Sequence, residues 1–445
     1  MKISKRRFVW PLLLLIAAAP GLRAQSRGNV HEFTANNITV LLHPTSNQLV
    51  SVVVGFEGGL ASGETSNPAL GDFAVDLITS SGSSSVSKET LRSFVSRTST
   101  SMAGEGDARG VRFTMTSTLS NFNEGWKILA SMVTSPLYDE TEYRNAVQVR
   151  MNQIRRRWSN PDDHAEIIAD SLLLLNEPIL GRRVREEDIR DATITKMKEF
   201  MERVSERSRM IIVIVGNVTE KDARRKLALF TSLPKGAARA PTAPMVAPTM
   251  TSAIAAPTEP RLEVADRKSP TTYVYGRFAG PRFATPDYWP LQVGLSHLRN
   301  ILFEEIRTKR NLSYAPGAWL GSILGSSYGN ISVSSTRPDS SVGIMLRELK
   351  QMRASEVDAK ALESSKAVFI TTYYMRQMTN AGVANSIYSA WRSTGDWRNA
   401  FALDAIAKVD PPSVLRAFQR YARNLQFGVA GPASGVTRDR YLFRE

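Results

Sequence analysis

Three landmarks occur twice in this chain, in the same order, and a repeat of that length dictates a fold built from two like units. Val50, Val52, Val54 and Phe56 alternate along a strand through Gly55 and run into Gly58 and Gly59. Thr271–Phe278 does the same through Gly276 and ends at Gly280, an offset of 221 residues between the central glycines. Gly110–Thr118 reads as a strand followed by a helix carrying Trp126, Leu129 and Met132. Gly329–Thr336 precedes a helix with Met345, Leu346 and Leu349, at an offset of 219. Ile211–Gly216 and Phe427–Gly431 are short apolar strands that close each copy, offset by 215.

Strands fall in groups and helices in blocks within each copy. The expected class is therefore α+β: two tandem homologous α/β units, each an antiparallel sheet packed against helices. Two unrelated α+β domains with similar turns are the alternative. Between the copies, residues 234–260 hold six prolines, many Ala and Thr and almost no charge, the composition of an extended linker. The division is 25–233 for the first unit, 234–260 for the linker and 261–445 for the second.

Residues 1–24 read as a signal peptide. Lys2, Lys5, Arg6 and Arg7 precede an apolar run from Phe8 to Ala19, and a small residue, Ala24, ends it. The run is short for a bilayer span of ~20 residues; an uncleaved anchor is the alternative. The expected location is exported and periplasmic, with no membrane span after cleavage. The whole chain carries 57 basic and 42 acidic residues, a net +15; without the leader, 52 and 42 remain, a net +10. Export argues against a nucleic-acid partner, and Arg155–Arg157 and Arg182, Arg183, Arg185 have no aromatic interleaving for base stacking.

Cysteine is absent, which excludes thiol nucleophiles, disulfides, iron–sulfur clusters and Cys-ligated zinc. The four histidines are His31, His43, His164 and His297. His31 and His43 bracket a hairpin, and none has a His or carboxylate partner at helical spacing that suggests a ligand cluster. The Ser-rich stretch from Thr79 to Ser87 lacks a G-x-S-x-G elbow, and Gly104–Gly110 lacks phosphate-loop spacing.

The duplicated plan, with NNITVLLHP (36–44), VSVVVGFEGG (50–59), SPLYDETEYRNAVQVRMNQIRRR (135–157), MIIVIVGNVTEKDARRKLALFTSLP (210–234) and ILFEEIRTKRNLSY (301–314), resembles the insulinase/pitrilysin (M16) zinc metallopeptidases. It is most similar to the short bacterial and mitochondrial-processing-like type. That resemblance implies an inverted zinc motif, His-x-x-Glu-His, on the helix after the strand at 50–59, and a third ligand, a Glu, on a later helix. Aligned on Gly82, the histidine positions hold Phe73 and Leu77 and the glutamate position holds Asp76; the third-ligand position holds Gln153, with Ala146 one helical face earlier. Phe and Leu offer no lone pair, and a neutral Gln amide is a poor zinc ligand. The chain is therefore expected to bind no metal itself.

In the short M16 enzymes two chains share one site, and one of them contributes an Arg and a Tyr seven apart. Here the matching segment is Arg307–Tyr314, expected as a helix end, a turn on Asn311 and the start of a strand. The glycine-rich loop that commonly precedes this helix is replaced by Leu295–Asn300. The resemblance thus implies a non-catalytic, substrate-binding subunit of a heterodimeric zinc peptidase. Arg307 and Tyr314 would touch peptide substrates, and a partner bearing His-x-x-Glu-His would hold the zinc. The rivals are a scaffold or assembly subunit without enzymatic role, and a self-sufficient hydrolase using Asp76, which a single unassisted carboxylate serves poorly.

Overall fold

The computed structural model describes residues 29–237 and 253–443; the leader and the middle of the linker lie outside them. The first copy runs β1 (His31–Ala35), β2 (Ile38–Pro44), β3 (Leu49–Glu57), α1 (Leu70–Ser81), α2 (Lys88–Thr98), β4 (Ser101–Asp107) and β5 (Gly110–Thr118). It continues through α3 (Phe122–Thr134), α4 (Glu140–Ser159), α5 (Pro161–Leu173), α6 (Glu186–Asp191), α7 (Ile194–Val204), β6 (Met210–Gly216) and α8 (Glu220–Lys226). The second copy runs β7 (Arg261–Asp266), β8 (Thr272–Ala279), α9 (Tyr288–Leu302), β9 (Gly317–Ile323) and β10 (Ser326–Ser335). Its remaining elements are α10 (Pro338–Ala354), α11 (Ala359–Gln377), α12 (Asn380–Thr394), α13 (Leu403–Ala407), α14 (Pro411–Tyr421) and β11 (Gln426–Gly431).

The two sheets repeat one topology. Their strand orders are β1-β2-β6-β3-β5-β4 and β7-β11-β8-β10-β9, so the second matches the first without β1. The antiparallel expectation holds for every neighbouring pair but one in each sheet: β2 and β6 run parallel, as do β7 and β11. The reason is chain length. Each parallel pair joins the start of a copy to its end, and the helices between them form the long crossover that parallel pairing needs. The β1–β2 hairpin turns on Asn36 and Asn37, both with positive φ (53° and 68°), the geometry that a two-residue turn between twisted strands selects.

Val50, Val52, Val54 and Phe56 all face one core, shared with Phe73, Trp126 and Phe200. A second core on the other sheet gathers Val274, Phe278, Leu298, Phe418 and Phe427. A one-sided sheet would leave the alternate residues wet, yet β3 is buried from Val50 to Phe56 without a break. Its other face is covered by a helix from the opposite copy. α12 packs on β3 and β6, placing Ile387 and Tyr388 against Val53, Ile211 and Val213. In return, α5 of the first copy packs on β8 and β11 of the second.

Each exchanged helix is fixed by a buried arginine. Arg277 on β8 is fully buried and meets two carboxylates one turn apart on α5, Glu166 at 2.8 Å and Asp170 at 2.7 Å. Arg392 on α12, also buried, reaches Glu57 at 2.7 Å and takes Asp107 in a two-pronged grip at 2.6 and 2.8 Å. Close approach is allowed by missing side chains: at Gly428 a Cβ would run into the Ala165 carbonyl, and at Gly55 into the Tyr388 phenol. Among the described residues, no helix is long and apolar enough to cross a membrane.

Arg392→Ala would remove the guanidinium that bonds Glu57 and Asp107 beneath α12 and leave them only the unbonded charge of Arg109. The expected loss, read by chemical denaturation, is about 3–5 kcal/mol, the range for breaking a buried ion pair from one side. A loss of only a few tenths would mean that apolar packing alone holds α12 in place.

Candidate functional site

α1 carries Phe73, Ala74, Leu77 and Ile78 at helical spacing, which turns them into the first core, and it ends at Gly82, whose φ of 85° suits glycine. Phe73 and Leu77 are therefore buried core residues. Asp72 and Asp76 lie one turn apart on the rim of the same helix and face α4. That helix is capped by Asp139, whose carboxylate accepts the backbone N–H groups of Thr141 and Glu142, both at 2.9 Å. Farther along α4, Arg150 bridges the two aspartates: Nη1 lies 2.7 Å from Asp72 and Nη2 2.8 Å from Asp76. Its guanidinium sits 4.8 Å from the centre of the Phe73 ring, and Tyr143 stacks on that ring at 5.5 Å and 15°. Asp72 also accepts the Gly106 N–H at 3.0 Å, which ties β4 to the cluster.

This arrangement does not fit a zinc ion. Phe73 and Leu77 present carbon only, Asp76 is held by Arg150, and Gln153 points out of the protein from the next turn of α4. The cation in the cluster is a guanidinium, which carries a permanent charge but neither accepts a lone pair nor activates water. Among the described residues there is no group of three His, Asp or Glu side chains placed to hold a metal. The histidines stand apart: His31 lies 3.9 Å from Glu220, His43 tilts against Phe401, His164 faces Arg267 at 2.7 Å and His297 faces Ser365 at 3.1 Å. Sequence reasoning passed over Arg150 and Asp72. A signal was present, because two aspartates four apart on one helix face repel unless a cation is shared between them.

The Arg307–Tyr314 segment forms a separate corner. α9 buries Leu298 and Leu302, and a π-helical stretch from Phe303 to Thr308 extends it and buries Ile306. Leu295–Asn300, where the family's loop would precede the helix, lies inside α9. The helix closes as expected on Asn311 in the left-handed conformation, φ 48°. The N–H of Asn311 bonds to the Arg307 carbonyl at 3.0 Å, the bond of an αL cap, and that of Leu312 reaches back to the Ile306 carbonyl at 2.9 Å. One expectation fails here. Tyr314 does not start a strand; Pro316 withholds an N–H from any ladder, and β9 begins only at Gly317. Tyr314 therefore projects from a bend, 75% exposed, with the Arg307 guanidinium 3.9 Å from its ring centre. The pair is stacked, with Tyr314 open to solvent and Arg307 half-buried.

Residues 191–369 match the family model described as the peptidase M16 inactive domain. The fold is that of solved M16 inactive-domain structures. Solved M16-type structures overlay most of the chain. The peptidase M16 inactive domain from Pseudomonas fluorescens aligns at TM-score 0.78 and 15% identity, over 91% of this chain and 98% of that one. A protease from Helicobacter pylori aligns at 0.75 and 15%, over 91% and 100%. The periplasmic protease PqqL from Escherichia coli aligns at 0.72 and 15%, over 97% of this chain but 49% of its own, so this chain spans about half of it. No curated protein matches the sequence significantly. Together the family match and these overlays support an M16-family member of the non-catalytic type.

With Phe73 and Leu77 in the core and Asp76 held by Arg150, the α1–α4 cluster offers metal no lone-pair set, so metal is not expected to stabilise the chain. Its melting temperature is expected to stay within error on adding EDTA or zinc, whereas a resident structural metal would raise it through binding linkage. A zinc-dependent rise of several degrees would show that a site exists elsewhere.

Proposed function

We propose that this chain is the non-catalytic, peptide-binding half of a two-chain M16 zinc peptidase. A separate chain carrying His-x-x-Glu-His supplies the zinc, and zinc there would lower the pKa of a bound water for attack on a peptide bond. The observation that carries the proposal is the exposed Tyr314 with the half-buried Arg307 stacked on it, in a chain whose own α1–α4 cluster is closed by Arg150. An always-charged guanidinium and a phenol on one solvent-facing corner offer donors to a peptide carbonyl. If the carbonyl is the one under attack, the same donors stabilise the developing oxyanion. The αL cap at Asn311 and Pro316 fix the backbone on either side, so the pair is held in place before substrate arrives.

Export fits this reading: residues 1–24 have the pattern of a secretion signal, and one structural relative, PqqL, is described as a periplasmic protease. A second reading, a scaffold subunit, draws support from the stacking itself, since Arg307 and Tyr314 already satisfy one another through a cation–π contact.

Native pull-down of the tagged chain from its own cell envelope, with zinc quantified, tests the pairing. A second chain of similar size, near-stoichiometric zinc and chelator-sensitive cleavage are expected. Within that complex, Arg307→Ala and Tyr314→Phe should leave assembly intact and lower peptide cleavage by about 10²-fold, the usual effect of losing one such donor. Unchanged cleavage with intact assembly would favour the scaffold.

A further inference from the structure

α12 has two faces with different tasks. One presents Ile387 and Tyr388 to the first sheet; the other presents Asn385, Ser389 and Ser393, four apart, to a cavity of about 360 Å³. The cavity's opposite wall is aromatic: Phe283 ahead of α9, Tyr288 and Trp289 at its start, and Tyr373 on α11. The rings of Phe283, Tyr288 and Trp289 pack edge to face in series, each pair at 5.1 Å, so this wall is rigid. Arg376, on the last turn of α11, also lines the cavity; its guanidinium makes no ion pair or hydrogen bond among the described residues, and no carboxylate lines the cavity. The Asn385 Oδ1 is buried with no donor. Burial pushes the Tyr288 phenol up to about 12 against the opposing charge of Arg376, so the two lie within electrostatic reach.

These vacancies are complementary. The cavity offers one unpaired cation, one buried acceptor lacking a donor, and an aromatic wall between polar positions. A ligand that answers all three carries an anion, an N–H and an apolar group close together. The last residue of a peptide with a free carboxylate has that chemistry. A second depression of about 510 Å³ adjoins it, sharing Phe283, Trp289, Asn399 and Ala402 in its lining, and leaves room for the residues that precede. A small metabolite carboxylate would leave that second depression unfilled.

We infer that this cavity captures the C-terminal end of a peptide: its carboxylate on Arg376, its last N–H on Asn385 Oδ1 and an apolar last side chain on Tyr288, Trp289 and Tyr373. The site is separate from the Arg307–Tyr314 corner, and the inference needs neither a partner chain nor a metal.

The test is binding of an N-terminally labelled tetrapeptide ending in leucine to the full chain alone, as free acid and as C-terminal amide. The free acid should bind at least about tenfold tighter than the amide, the scale of one charge-assisted interaction. Arg376→Gln, which changes an exposed and unpaired residue and so leaves the fold intact, should bring the acid down to the amide. Equal binding of the two forms, no binding of either, or a preference that survives Arg376→Gln would each overturn the inference. None of those results bears on Arg307 and Tyr314, which remain unaltered throughout.

Discussion

Two buried arginines hold the two copies together as one body. Arg277 and Arg392 do the same work from opposite sides: each sits against one sheet and joins it to a helix of the other copy through a pair of carboxylates. A guanidinium is suited to this because it cannot lose its charge and presents donors in a fixed fork, so two acids can be met at once. Desolvating such a group is costly, and only full pairing offsets it. The reward is geometric. With α5 and α12 locked across, both faces of both sheets are dry along their central strands, and every other feature is positioned from that frame.

The α1–α4 cluster reuses the same device at the surface. Where an M16 enzyme would gather lone pairs around a divalent ion, this chain gathers two carboxylates around Arg150 and packs carbon beneath it. The exchange conserves attraction between α1 and α4 while removing what hydrolysis requires, an electrophilic centre with an open position. Arg150 is only partly buried, so its pairs add modestly to stability. Their main effect is on chemistry, because the Asp76 carboxylate is engaged and Phe73 and Leu77 have nothing to offer a metal.

Most of the architecture was legible in the sequence because a strand's alternation and its glycines survive duplication. Val50 to Phe56, Gly276 and the closing strands at 211–216 and 427–431 all lie in equivalent positions of the two sheets. That Phe73, Leu77 and Gln153 offer a metal no good ligand was equally legible, since it depends on residue type alone. The exchange of α5 and α12 was not. Period-two patterning says which residues leave a strand on each side, but not which helix covers them, and Glu166, Asp170 and Arg277 are more than a hundred residues apart in sequence. Arg150 escaped notice for a related reason: it looked like one more base in an arginine-rich helix until Asp72 and Asp76 were seen opposite it. Tyr314 was placed in a strand that begins only at Gly317, three residues on, because Pro316, just beyond the motif, decides where pairing can begin.

The exchange of helices also has a consequence in time. A chain emerging from its N-terminus completes the first sheet once β6, ending at Gly216, is available. The inner face of that sheet, with Leu41, Val53, Ile211, Val213 and Val215, then waits for α12, which arrives roughly 170 residues later. At synthesis rates of ~5–20 residues per second, the wait is on the order of 10–30 s. For that interval the nascent first copy presents a broad dry surface with no cover of its own. The first copy therefore cannot complete its burial before α12 of the second copy is available.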